Sequence, residues 1–346
     1  MHKVILLNRR WLLPATLLFI ILCFALPVNA HLPVSADGNT DINTALTIEK
    51  PTMSYVIYGH LHEAGEVDYY QLKMNPNERL VLSLMTPGYN APVPDMIVVS
   101  PGTAVSFEGL PQQVSVPQGY GAEIIRGRPP HIAEYEPFGP APVFEVAYYS
   151  KEITAPGLYY LAVVSTADET RYSIATGYEE EFTPSEWVLV PVNVISTHLW
   201  EGQSILAILT PFLAVVILGF VVISRREKRR GSHLTHSCWL ATIAGLCYLG
   251  GAAITLVQMV RALAVTGPSS SVALTLVFAL IPVTLGVWAL RLGRSSSRRT
   301  ILDRAFLVLI AILGLIIWAG LIIGPVLAIG AAALPERLPF HHPANK

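Results

Sequence analysis

Three histidines are the residues of this chain whose type and spacing could do chemistry. His60 and His62 flank Leu61, and alternation along a strand would put both imidazoles on one face. Leu61, in phase with Tyr55 and Ile57, would point inward and leave the pair exposed. His31 is the third. A secretory signal cut after Ala30 would make it the first residue of the mature chain, offering one metal both an amine and an imidazole nitrogen. Nitrogen donors of this kind suit copper, so His31, His60 and His62 form a candidate copper site. The competing reading is a solvated His-x-His at a strand end. His131 and His198 have no evident partner in the sequence. No Gly-x-Ser-x-Gly elbow, His-Glu-x-x-His helix or phosphate loop is present, and no carboxylate spacing singles out an acid–base pair, so nothing points to an enzyme.

The elements around these residues are set by five apolar runs. Trp11–Leu26 follows Lys3, Arg9 and Arg10 and leads to Val28-Asn29-Ala30, so residues 1–30 read as a cleaved signal. Runs at 204–223, 238–260, 271–290 and 305–334 are each long enough to cross a hydrocarbon core, which takes roughly 20 helical residues. Arg225, Arg226, Lys228, Arg229 and Arg230 fill the first connecting loop, and Arg291, Arg294, Arg298, Arg299 and Arg304 surround the third. The second loop has Arg261 alone. Positive residues favour the cytoplasm, so residues 31–203 and the tail 335–346, with His341 and His342, are expected outside a multi-pass cytoplasmic-membrane protein. None of the four spans has an ionisable residue in its interior, which argues against a transporter; Gln258 is the main polar group. Gly320, Gly324, Ala328 and Ala332 make one smooth helix face, suited to a second copy or to a neighbouring helix.

The exported segment has 7 lysines and arginines against 21 aspartates and glutamates, a net −14, while the whole chain carries −1. Such acidity excludes nucleic acid and anionic lipid surfaces as natural partners. The segment has no cysteine, so its core must hold without disulfides; Cys23 lies in the signal, and Cys238 and Cys247 in an apolar run. Short alternating runs at 54–61, 67–74, 79–85, 96–100, 143–149, 158–165 and 171–178, broken by turn residues, predict an all-β jelly roll or sandwich. Tyr70, Leu72 and Met74 should share one face, as should Leu80, Leu82 and Leu84. Leu158–Val164 is apolar on both faces and belongs in the middle of a sheet.

Asn43-Thr-Ala-Leu-Thr-Ile, Gly59-His-Leu-His-Glu-Ala-Gly-Glu-Val-Asp68-Tyr-Tyr, Glu78-Arg-Leu-Val-Leu, Ala155-Pro-Gly-Leu-Tyr-Tyr and Arg171-Tyr-Ser-Ile together resemble the bacterial pre-peptidase C-terminal (PPC) domain over roughly 41–178. The resemblance implies a small jelly-roll sandwich acting as a non-catalytic binding module, with Asp68 a strand-start residue. The combination with four spans is similar to uncharacterised archaeal membrane proteins. Residues 102–142 depart from the family pattern. This insert holds 6 glycines and 7 prolines, with Phe107, Tyr120, Tyr135 and Phe138 among them. It reads either as a binding rim or as a loop folded over a sheet face. Trp187–Val194 would be a last strand or lie on the bilayer, with Trp200 at the interface. The expected architecture is thus an extracytoplasmic β-sandwich followed by an all-α four-helix transmembrane domain. Its partners would be a protein, glycan or envelope component, with copper the alternative and a second copy possible through Gly320, Gly324 and Ala328.

Overall fold

The computed structural model describes residues 32–35, 38–102, 109–179, 184–231, 234–294 and 299–334. Among these residues eleven strands precede the long helices: β1 (Leu32–Ser35), β2 (Leu46–Ile48), β3 (Tyr55–Leu61), β4 (Val67–Met74), β5 (Arg79–Thr86), β6 (Asp95–Pro101), β7 (Tyr120–Ile125), β8 (Glu134–Glu136), β9 (Ala141–Glu152), β10 (Gly157–Val164) and β11 (Thr170–Thr176). They form two facing sheets, ordered β1-β3-β11-β5-β9-β8 and β2-β4-β10-β6-β7. β1 runs parallel to β3 and β2 to β4, while the other pairings are antiparallel. Leu72, Leu80, Leu82, Leu84 and Leu161 are fully buried between the sheets, each contributing roughly 1.5–3 kcal/mol by leaving water. β10 sits in the centre of its sheet, as its two apolar faces require.

One polar chain crosses this core. The Tyr172 hydroxyl donates to the Asp68 carboxylate at 2.5 Å, and the Tyr70 and Tyr172 hydroxyls lie 2.6 Å apart. Burial raises the pKa of both tyrosines, so they stay neutral donors beside the buried carboxylate. The Tyr172 ring and hydroxyl occupy the space a Cβ at residue 59 would need, which explains Gly59.

The insert is not one long loop. Its first part lies over the outer face of the second sheet, where Val114, Leu110 and Val116 cover Val67, Tyr69, Ile97 and Val99. It then supplies β7 as one sheet edge and β8 as the other. The covering role is therefore the one adopted over 109–125.

Among the described residues six α-helices follow: α1 (Pro184–Trp200), α2 (Ile205–Arg230), α3 (His236–Thr266), α4 (Val272–Gly293), α5 (Ile301–Ile316) and α6 (Ile323–Ala333). The stretch expected as a last strand or a bilayer-lying segment is the helix α1. Pro184 opens it, where a missing N–H costs nothing. Pro191 within it cannot donate to the Trp187 carbonyl, and the Trp318 indole N–H supplies that bond instead at 2.6 Å.

Helices α2, α3 and α4 are long and apolar enough to cross a membrane. α3 and α4 touch through bare backbone: a Cβ on Gly245 would come within 2.8 Å of the Gly286 carbonyl oxygen, and the reverse holds equally. The fourth expected span is not a single helix. Trp318, Gly320, Leu321 and Ile322 adopt left-handed φ of 53°, 67°, 55° and 66°, ending α5 and reversing the chain into α6. Three of these lack glycine's freedom, a strain of roughly 1–2 kcal/mol per residue that the surrounding packing must offset. Gly320 suits this position, because a Cβ there would come within 3.1 Å of the α3 backbone at Cys247 and Tyr248.

α6 therefore returns to the end of the bundle from which α5 started. There Arg299, buried, donates to the Ala331 carbonyl at 2.9 Å, to Ser237 Oγ at 2.6 Å and to the Ser237 carbonyl at 3.1 Å. Arg304 reaches the Ala332 carbonyl at 3.1 Å. Leu334 thus stands at the basic end of the bundle, opposite the end expected for the tail; residues 335–346 lie outside the described residues. Of the two uses open to the small-residue face, a second copy or a neighbouring helix, part of it takes the neighbouring helix. Gly324 and Ala328 are buried inside the chain, with Gly324 against the Tyr248 ring.

Candidate functional site

His60 and His62 emerge from β3 on the outer face of the first sheet, both exposed, with ring centroids 4.3 Å apart. Leu61 between them is fully buried. A carboxylate that the sequence did not suggest joins them: Glu169 Oε2 lies 2.9 Å from His60 Nε2. Glu169 holds a left-handed φ of 52° just before β11, and its N–H donates to the His62 carbonyl at 3.1 Å. The Ala64 N–H binds Asp168 Oδ1 at 2.9 Å, tying the same two loops together. Ligand atoms of His60, His62 and Glu169 all fall within 4.8 Å of one another, a set that suits zinc or copper(II) with further positions left to water. His31 lies outside the described residues. Its neighbour Leu32 pairs with Tyr55, five strand residues or roughly 17 Å along β3 from His60.

A second candidate lies where the sandwich meets the helices. α1 runs between them: its Thr197 hydroxyl is 2.8 Å from the Tyr58 hydroxyl, and Trp200 packs on the Tyr58 ring at 5.2 Å. The insert makes the other junction. The Tyr135 hydroxyl lies 2.7 Å from Thr275 Oγ1, which donates to the Pro137 carbonyl, and Phe138 meets Phe278 edge-on at 5.3 Å. Between these two junctions is a cavity of about 550 Å³. Val56, Tyr58 and Ala175 of the first sheet form its roof; Gly251, Phe278 and Trp318 contribute from the helices.

Its polar groups gather at the end of α1. His198, 1% exposed, lies with Nδ1 3.1 Å from Glu201 Oε2, while its Nε2 is buried with no partner among the described residues. Trp200 Nε1 is likewise buried and unpartnered. Gln203 bridges Glu201 at 3.2 Å and exchanges two amide bonds with Gln258, at 3.1 and 2.8 Å. That pairing accounts for the one conspicuous polar residue of α3. Across the cavity, Glu136 is pushed above its ordinary pKa by burial, against a smaller lowering from the Phe138 N–H. His198, Trp200 and Glu201 were hidden because a histidine and a glutamate three apart mean something only once the segment is known to be helical.

No protein-family model matches the chain, and no curated protein matches it. Among solved structures, the chain is similar to the pre-peptidase C-terminal domain of collagenase from Bacillus anthracis, at 15% identity over 43% of this chain and 95% of that one, with a TM-score of 0.20. That likeness says nothing of ligand or activity. What stands by its own geometry is a two-sheet β-sandwich followed by a helical domain with three membrane-length apolar helices.

Proposed function

We propose that this chain is a membrane-anchored, extracytoplasmic, non-catalytic binding module of the PPC-like kind, and that its binding site is the cavity it shares with its own helices. The cavity carries the reading. It is of ligand size, mostly apolar, and furnished with a few convergent polar groups, the combination that small-molecule sites favour. A tethered module with an independent ligand would leave the outer face of its first sheet in solvent; here that face roofs the cavity. The basic residues of 225–230 and 299–304 collect at the end of the bundle away from the sandwich, so the positive-inside rule supports an extracytoplasmic sandwich on the cytoplasmic membrane. In this reading α2, α3 and α4 cross fully, and α5–α6 enters and leaves on the cytoplasmic side. The full chain purified in mild detergent should carry one bound amphiphile, and Ala175→Trp, which fills the roof, should abolish it. A chain that retains no amphiphile in its unaltered form would overturn the reading.

A second reading, an extracytoplasmic copper-binding protein, is favoured by Glu169 standing beside His60 and His62. Copper(II) or zinc titrated into the purified chain should bind with 1:1 stoichiometry. Glu169→Gln should weaken that binding about tenfold if the carboxylate is a ligand. Affinity unchanged in both Glu169→Gln and His60→Ala would leave a solvated His-x-His.

A further inference from the structure

Resting on the membrane-anchored reading, we infer that α1 is an interfacial helix whose open face is sunk into the outer leaflet, with lipid acyl chains and their glycerol ends as its partner. The helix has two faces. Val190, Asn193, Val194, Thr197 and His198 line the cavity. Val188, Leu189, Val192, Ser196 and Leu199 are exposed, and at 3.6 residues per turn they fall within an arc of about 100° on the other side. The four apolar members of that stripe are 41–56% exposed. A contiguous apolar stripe of this kind marks a contact surface.

The level of the helix is the first ground for lipid. Its last residue stands just before Ser204, the N-cap of the first span. Its beginning is tied to the tip of the α5–α6 hairpin: Trp187 Nε1 donates to the Leu315 carbonyl at 3.4 Å, and the Trp187 and Trp318 rings lie 4.3 Å apart. That tip follows the 16 residues of α5, so it stands about 24 Å from the basic end of the bundle. A hydrocarbon core is about 30 Å thick. Both ends of α1 are therefore near its outer edge, and the helix runs along the membrane plane.

Composition is the second ground. Trp187–Trp200 contains no lysine, arginine, aspartate or glutamate, and an indole stands at each end, as in the aromatic belts of membrane proteins. An interfacial helix ordinarily turns a charged face to water. Here the second face is turned to the cavity, so none is needed. Continuity is the third ground: the stripe is followed by Ile205, Leu206 and Leu213, also exposed, on the helix that crosses the bilayer. Since the stripe has no cation and residues 31–203 are acidic, its attraction to the leaflet is apolar and needs no anionic headgroup.

The test uses the full chain in phosphatidylcholine nanodiscs, with its native cysteines replaced and one introduced cysteine carrying a fluorescent label. Labels at Val188→Cys, Val192→Cys and Leu199→Cys should lose about half their emission to a lipid nitroxide near the headgroup and less to one near the chain end, as for groups roughly 5–10 Å below the headgroups. Leu213→Cys, about 14 Å down α2 from Ser204, should respond more to the deeper nitroxide. Glu152→Cys, at the end of β9, should respond to neither. Replacing part of the lipid with phosphatidylglycerol should change none of these results. Thermal melts of the labelled variants matching the parent would show that the fold is intact. Labels on α1 no more quenched than Glu152→Cys would overturn the inference and leave the stripe to a protein partner. Quenching that appears only with phosphatidylglycerol would overturn its apolar basis. If Leu213→Cys also escaped both nitroxides, the membrane-anchored reading itself would fail.

Discussion

Glu136 is a carboxylate at the boundary between the sandwich and its helices. It sits at the end of β8, accepts the Phe138 N–H at 3.0 Å and borders the cavity. Burial raises its pKa, so the folded chain holds this proton more tightly than the unfolded chain does. The stabilisation from that proton is complete below the ordinary value of 4.5 and is lost as pH rises through the raised folded value. At neutral pH the desolvated charge opposes folding. Glu136→Gln should therefore raise the thermal midpoint at pH 7 by roughly 2–4 °C, with the gain vanishing near pH 4. A gain of equal size at both pH values would mean that ionisation is not its source. His60 and His62 were legible as an exposed pair because β-alternation is a local property. Glu169, 109 residues from His60, was not, since only the sheet order brings β11 beside β3.

At the scale of elements, Gly245 and Gly286 allow α3 and α4 to meet backbone to backbone. Gly286→Leu should separate this pair and lower the melting point of the purified chain in detergent by more than Gly88→Leu, a position where a Cβ meets nothing. Equal effects at the two glycines would show that the crossing contributes little. The sequence signalled only part of the glycine packing: Gly320 and Gly324, four apart, do pack against a neighbouring helix, while Gly245 and Gly286 meet across two helices with no Gly-x-x-x-Gly step to mark either. Among the central strands, β5 was readable because its one buried face enforces alternation, and β6 and β10 because they are short apolar runs bounded by turn residues; β3, β4, β9 and β11 mix the two signals. β1 and β2 are too short to show a period, and β7 and β8 sit in a segment whose prolines and glycines read as loop. α1 misled because Val188, Val190, Val192 and Val194 alternate like a strand around Pro191. The bond that replaces the one Pro191 cannot make comes from Trp318, 131 residues from Trp187 in sequence. The break between α5 and α6 lies in a run of apolar residues with no charge to mark it, only Gly320 and Pro325.

For the molecule as a whole, the reversal at 318–322 decides where the chain after α6 begins. In sealed cells whose buried Cys238 and Cys247 have been replaced, a cysteine at 334 should resist a membrane-impermeant thiol reagent, as one at 228 should, while one at 152 should react. Labelling at 334 from outside would restore a spanning fourth helix and remove the hairpin from the bilayer. The same hairpin imposes an order of events during synthesis. α6 has 11 residues, about 16 Å of helix, too short to settle in a bilayer alone. It has a place only after α3 and α5 offer their sides, and until it arrives Arg299 lacks the Ala331 carbonyl. The clamp at Arg299 therefore closes only after α1 to α5 have been made and α6 has followed them.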